Sequence, residues 1–358
     1  MADEFKNIVR VSCIYTASII GAGFASGQEI MQFFSIYKTG GFYGIIFAGL
    51  LFSIVGCIVL EKVYNERIRN YEEFIFPTFG WFAGWLIEIA MTLFMLCLFC
   101  IMIAGSGDVL SDRLEIPFKY AALIMGFLSM LLILTNIKGI VTLSTFVTPV
   151  LIIGIVLAGG YIIVFGVNEA FKITGFLTRL SGNWFISSLL YVSYNSILAI
   201  VVMCSLLPYL KTYRTARMGG ILGGAMLSIS ALVINAVIFL FYPTAFEKEL
   251  PILAILKSFS STAGNLYAVI LWLAMFVSAV TSGFCFVDRV GTSLKLNRRI
   301  VTLILCAASV PLSTLGFSKL ITAIYPVFGY LGLFIILTLL IQKFVCLYRE
   351  HKGGYGRK

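Results

Sequence analysis

Ala17-Ser18-Ile19-Ile20-Gly21-Ala22-Gly23-Phe24-Ala25-Ser26-Gly27-Gln28-Glu29 is the stretch on which the fold turns. It lies in the middle of an apolar run over residues 8–35, and Gly21, Gly23 and Gly27 interrupt it just before an amide and a carboxylate. A glycine weakens a helix by about 1 kcal/mol relative to alanine. A carboxylic acid at membrane depth costs about 2.5–3.5 kcal/mol on insertion scales, so such residues serve a task. Two readings compete. Gly23 and Gly27 have the spacing of a small-residue packing seam between helices. Alternatively the helix is discontinuous, with a half-helix end facing a bound solute as in transporters. The carboxylate directly after the glycines favours the second. An unwound Gly21–Gly23 frees backbone N–H groups at the positive end of the outer half-helix, which suits a carboxylate. Gly21, Ala22, Gly23 and Phe24 are therefore candidate substrate-binding residues.

The rest of the chain is built to match. Of 358 residues, 60% are hydrophobic and 12% charged, whereas soluble domains run near 45–50% apolar and about 25% charged. A spanning helix needs about 20 mainly apolar residues. Ten such runs are predicted, near 8–35, 41–64, 80–105, 117–135, 140–166, 184–209, 216–242, 263–288, 298–315 and 320–346. They are too long and too evenly apolar for barrel strands, which alternate. The expected fold class is an all-α integral membrane protein, a single transmembrane domain over 1–358 with 347–358 as a cytoplasmic tail. The first run, glycine-broken and followed by no small-residue cleavage site, is expected to be a span and not a leader.

Lys and Arg set the direction. With the N-terminus cytoplasmic, eighteen of them fall on inner segments and eight on outer ones, and both termini lie inside. Residues 65–79 are expected to be a polar inner loop. Residues 167–183 and 243–262 are longer outer connections with room for short surface helices. The formal charge of +10 is thus a topology signal; no basic patch interleaved with aromatics speaks for nucleic acid.

Catalytic chemistry finds little to stand on. Cys97 and Cys100 form a CxxC inside LFMLCLFCIMIA, where a redox or metal pair is not expected. The single histidine, His351, is in the polar tail. No zinc site, histidine base, Ser–Lys pair or Asp–Asp pair can be assembled, so neither an enzyme nor an organic cofactor is expected.

SIIGAGFASGQE, the Gly40-Gly41 turn and a long second span ending in Glu61 resemble the amino acid–polyamine–organocation superfamily, and more narrowly the bacterial amino-acid permeases of the YkvI type. The resemblance implies the LeuT fold: two inverted five-helix repeats, about 8–166 and 184–346, with spans 1 and 6 broken at their centres. It also implies a sodium site. Phe276-Val277-Ser278-Ala279-Val280-Thr281-Ser282-Gly283 in span 8 looks like the segment that would supply the hydroxyls of Thr281 and Ser282 and the carbonyl of Ser278. The carbonyls of Ala17 and Ile20 would complete it, since oxygens can replace the water of a hard cation. Read without the resemblance, Thr281 and Ser282 satisfy themselves within their own helix. Span 6 departs from the family pattern. Tyr191-Val192-Ser193-Tyr194-Asn195-Ser196 has no glycine, and the break is placed at 193–196. Exposed carbonyls there would receive an ammonium group, with Tyr191, Tyr194 and Asn195 around it. For either tyrosine, interhelical packing is an equal alternative. Some proton-coupled relatives carry a span-5 lysine in place of sodium; Lys138 lies too near the cytoplasmic start of the span to match.

The remaining charges differ in their depth along the spans. Glu29 is a gate or coupling candidate with Lys319 as its expected partner. Glu88 either relays protons or pairs with an inner arginine, and pairing is preferred because intramembrane acids find partners. Asn235 is expected to bond between helices. The function implied is a multi-pass plasma-membrane transporter, a sodium-coupled symporter of an amino acid or similar small zwitterion in the lipid bilayer. Proton coupling and a non-transporting amino-acid sensor are the alternatives.

Overall fold

The computed structural model describes residues 2–69, 71–134, 137–170, 183–241 and 244–353. Helix is the only regular structure among them. In chain order the helices are α1 Ala2–Ile19, α2 Ala22–Ser26, α3 Gln28–Phe33, α4 Thr39–Glu66, α5 Tyr71–Leu114, α6 Phe118–Ile133, α7 Ile137–Ala170, α8 Trp184–Cys204, α9 Tyr213–Leu240, α10 Pro251–Phe259, α11 Ser261–Leu294, α12 Arg298–Ser313 and α13 Phe317–Gly353. Six described helices (α4, α5, α8, α9, α11 and Phe317–Val345 of α13) are long and apolar enough to cross a membrane, and Phe118–Ile133 and Pro149–Phe165 are shorter apolar helices. With so many spans this is a multi-pass membrane protein.

The bundle is apolar outside and mixed inside. Tyr43, Ile46, Leu50 and Ile54 form an exposed stripe on α4, and Ile300, Leu303 and Ile304 another on α12. Buried positions include Ser12, Thr16, Ser193, Asn195, Thr215 and Asn235. Lipid tails accept the outer stripes, while the inner polar groups must find partners within the protein. Several do. Ser12 and Thr16 of α1 donate to the carbonyls of Gly219 and Gly223 on α9, both at 3.2 Å. Tyr15 donates to the Phe52 carbonyl on α4 at 2.8 Å. Ser35 donates to Asn235 Oδ1 at 2.7 Å, the interhelical role expected for Asn235.

Two expectations are revised. The inner loop over 65–79 is helical from Tyr71, because α5 begins there and bends at Gly80 (φ 77, ψ 173) before continuing as a span. The apolar part of 243–262 does form a short helix, α10, which buries Ile252, Leu253, Ile255 and Leu256. In the connection over 167–183, residues 171–182 lie outside the described residues, as does the side chain of Lys138. The second revision concerns span 6. α8 runs unbroken from Trp184 to Cys204 through the whole of 191–196. Two of its polar side chains turn back on their own helix: Ser193 donates to the Leu189 carbonyl at 2.6 Å and Asn195 Nδ2 to the Tyr191 carbonyl at 3.0 Å. With neither glycine nor proline between 184 and 204, nothing opens the ladder.

Candidate functional site

The first span is broken twice. α1 stops at Ile19, where the Gly21 N–H turns back to the Ile19 carbonyl at 2.8 Å. Gly21 is extended (φ −101, ψ −171) and α2 starts at Ala22. The carbonyl of Ala17 loses the i+4 donor that an intact helix would give it, because the Gly21 N–H goes to Ile19. At the start of α2 the first N–H groups have no intrahelical acceptor for the same reason. Gly27 makes the second break at φ 84, a left-handed conformation that favours glycine. α2 and α3 are thus two short helices hinged in the middle of the bundle.

Side chains from four helices hold them. Tyr267 of α11 donates to the Ala25 carbonyl at 2.7 Å. Ser187 of α8 donates to the Phe33 carbonyl at 2.7 Å. Gln28 bonds the Ser318 hydroxyl of α13. α10 closes on Gly27 through Ile252, which a Cβ there would meet at 2.8 Å.

Glu29 sits at the centre, with only 5% of its surface exposed. Its carboxylate folds back over α2, so that a Cβ on Gly23 would overlap Oε1. Tyr194 of α8 donates to Oε2 at 2.6 Å, and the Tyr325 hydroxyl of α13 is its second hydrogen-bond partner. Aromatic rings close around these groups. Tyr194 and Tyr325 lie 4.6 Å apart between centroids, Phe33 and Tyr194 5.5 Å, and Phe94 stands 6.2 Å from both Tyr194 and Tyr325. Phe33 also lines a cleft of about 340 Å³, together with Gln32, Tyr37, Ser187, Leu190 and Pro326 among others. Phe33 thus touches both the cleft and Tyr194, the tyrosine that donates to Glu29.

The structure gathers some of the expected site residues and scatters others. Gly23, Glu29 and Tyr194 meet. Tyr191 borders them through Phe33, with ring centroids 5.4 Å apart, and its hydroxyl is buried without a partner. Phe24 instead lines a small void shared with Phe34, Phe52 and Tyr191. Asn195 is spent on its own helix. Lys319 is exposed, and the expected Glu29–Lys319 pair is replaced by the two tyrosines. The reason is directional: Lys319 lies on the outward side of α13, whereas Tyr325 faces the core. Glu88 pairs with Arg289 of α11, as preferred. At the expected sodium position, Gly21 faces span 8, its Cβ direction ending 4.0 Å from Ser278 Oγ. Ser282 donates to the Ser278 carbonyl at 2.7 Å, and Thr281 is exposed. Among the described residues no group of three or more His, Cys, Asp or Glu could hold a metal ion. Tyr325, Phe33 and Phe94 were missed by sequence reasoning. The Tyr325-Pro326 pair was the one available hint.

No protein-family profile matches the chain. It is similar to the uncharacterized membrane protein YkvI of Bacillus subtilis, at 27% identity over 336 residues, covering 93% of this chain and 95% of that one. It is also similar to the uncharacterized protein YyaD of the same organism, at 25% identity over 324 residues, 90% of this chain and 93% of that one. Among solved structures, a manganese transporter of Eremococcus coleocola superposes with a TM-score of 0.61 at 15% identity, over 93% of this chain and 78% of that one. Mhp1, a nucleobase-cation-symport-1 family transporter, gives 0.61 at 11% identity over 90% and 74%. A Na+-coupled sialic acid symporter gives 0.58 at 15% over 90% and 75%. The property shared with these three proteins is the fold.

Proposed function

We propose that the chain is a secondary active transporter working by alternating access around the broken first span. The observation that carries this reading is the pair of breaks at Ile20–Gly21 and Gly27, which put unpaired backbone groups and the Glu29 carboxylate at one point deep in the bundle. Irregular backbone at membrane depth is tolerated where it is enclosed by protein or lines a cavity, and transporters use it to bind solute. In this reading ten spans form two inverted five-helix repeats: α1–α3, α4, α5, α6 and α7, then α8, α9, α11, α12 and α13, with α10 lying outside the count. Both termini are cytoplasmic.

The solute is an amino acid or a similar small amine-bearing molecule, and sodium is its co-substrate. The Ala17 and Ile20 carbonyls, Ser278, Thr281 and Ser282 would receive the ion. Two features support this: the Ala17 carbonyl freed by the break and the approach of Gly21 to Ser278. The ion supplies charge that ties α1 to α11. Its release to the cytoplasm lets α1 swing from α11. A second reading, proton coupling through Glu29, is favoured by the absence of a Lys, Arg or His partner at that carboxylate among the described residues.

The first measurement is thermal stability of the purified protein against a panel of amino acids in sodium and then in potassium, followed by flux in liposomes. A ligand bound only by the folded state at a hundred times its Kd stabilises by about 2.7 kcal/mol. A shift that needs sodium, lost in Thr281→Ala, is the expected result. Flux driven by pH and indifferent to sodium selects the proton reading. Ligand binding without flux sinks transport altogether.

A further inference from the structure

We infer that Glu29 is the seat for the positively charged nitrogen of the substrate, and that a free carboxylate on the substrate is dispensable. The substrate class is then small organic amines and ammonium compounds, amino-acid esters and amides included. This deepens the proposed transport function and rests on it.

Glu29 is almost wholly buried, yet its partners are two neutral hydroxyls, those of Tyr194 and Tyr325. A buried carboxyl group with no opposite charge nearby is held in its neutral form, and it is ionised at low cost when a cation pairs with it. The tyrosines supply the hydrogen bonds and no charge. The missing countercharge is what an ammonium group brings. The surrounding chemistry agrees. Tyr194, Tyr325, Phe33 and Phe94 pack with centroids 4.6–6.2 Å apart around the carboxylate, and aromatic faces attract cations most where water is excluded. Phe33, which packs on Tyr194, also borders the 340 Å³ cleft.

The same geometry argues against an anion at this point. The N–H groups at the start of α2 would suit a substrate carboxylate, but Glu29 Oε1 already lies against Gly23 in that turn. A second carboxylate brought there would face the first, and two like charges in one site disfavour each other. The carboxylate belonging to the protein thus turns the half-helix end from an anion seat into a cation seat.

The test uses the purified full chain and three matched series: the common amino acids as free acids, as methyl esters and as N-acetyl derivatives, with butylamine and choline alongside. Affinities are read for the wild type and Glu29→Gln. Esters or simple amines are expected to bind at least as tightly as the matching free acids. N-acetylation, which removes the positive nitrogen, is expected to abolish binding, and Glu29→Gln to weaken the amines tenfold or more. The wild-type series decides even if Glu29→Gln does not fold. Binding that survives N-acetylation but not esterification overturns the cation seat and leaves a transporter of acids. Full affinity in a folded Glu29→Gln protein does the same. If no member of any series binds and liposomes show no flux, both the seat and the transport reading fall.

Discussion

The first span and α8 both carry interruptions of their apolar runs and resolve them in opposite ways. In the first span the chain leaves the helix at Ile20–Gly21, and again at Gly27, where φ 84 favours glycine. In α8 the interruptions are Ser188, Ser193 and Asn195, and each bonds back to a carbonyl four residues earlier. Such back-bonding hides the polar group without opening the ladder. The glycines expected in α8 sit on its neighbour: Gly329 and Gly332 of α13 lie against the backbone of Leu190 and Ser193. The first span uses glycine to break, and α8 is met by glycine so that another helix can come close. A polar cluster in a span is therefore not in itself a break. The deciding feature is whether its residues can bond within their own helix.

The harshest test of this contrast is Gly332→Ala. The new Cβ would fall 2.5 Å from the Ser193 carbonyl carbon and overlap its oxygen. Main chain in an intact helix yields little, so an overpacking loss of about 1–3 kcal/mol in unfolding stability is expected. Tyr194, which follows Ser193, would move off Glu29. An unchanged melting temperature would mean that α8 bends readily at 193, and the picture of a rigid helix would be wrong.

Gly23→Ala separates the site from the scaffold. Its Cβ would lie 3.0 Å from the Glu29 carboxyl carbon and overlap Oε1, which is the mobile end of a side chain. The fold should therefore survive, helped by the roughly 1 kcal/mol that alanine gains over glycine in a helix. Ligand affinity should fall tenfold or more as Glu29 is pushed out of place. Melting and affinity measured on the same preparation decide it. Retained affinity would make the Glu29–Gly23 contact incidental.

How far the sequence could be read follows the same division. Depth was legible: the apolar runs mark spans, the glycines mark the break, and Glu88 at one third of a span could reach an arginine, which proved to be Arg289. Rotation about each helix axis was not. Where a helix is apolar all round, no polar face reveals which side meets the core. Phe94 and Tyr325 therefore gave no sign that they converge on Glu29, and Lys319 was placed at the right end of α13 but on its wrong side. The supposed break in α8 failed for another reason. It was inferred from polarity and from symmetry with the first span, and neither registers a serine bonded to its own helix.

Gly21→Ala should have the smallest effect, and it bears most directly on why the first span breaks. Gly21 has φ −101 and ψ −171, an extended conformation open to any residue. Its Cβ would meet only Ser278 Oγ, at 4.0 Å. Alanine would favour closing the helix by about 1 kcal/mol, but closure would pull α2 from Tyr267 and α3 from Ser187 and Ser318. Those ties outweigh a single propensity term, so a stability change within about 0.5 kcal/mol is expected, with ligand affinity altered less than threefold. A clear rise in stability with loss of binding would show that Gly21 itself keeps the span open. The break would then depend on local backbone freedom, and its likeness to an open hinge would outweigh the tertiary contacts that surround it.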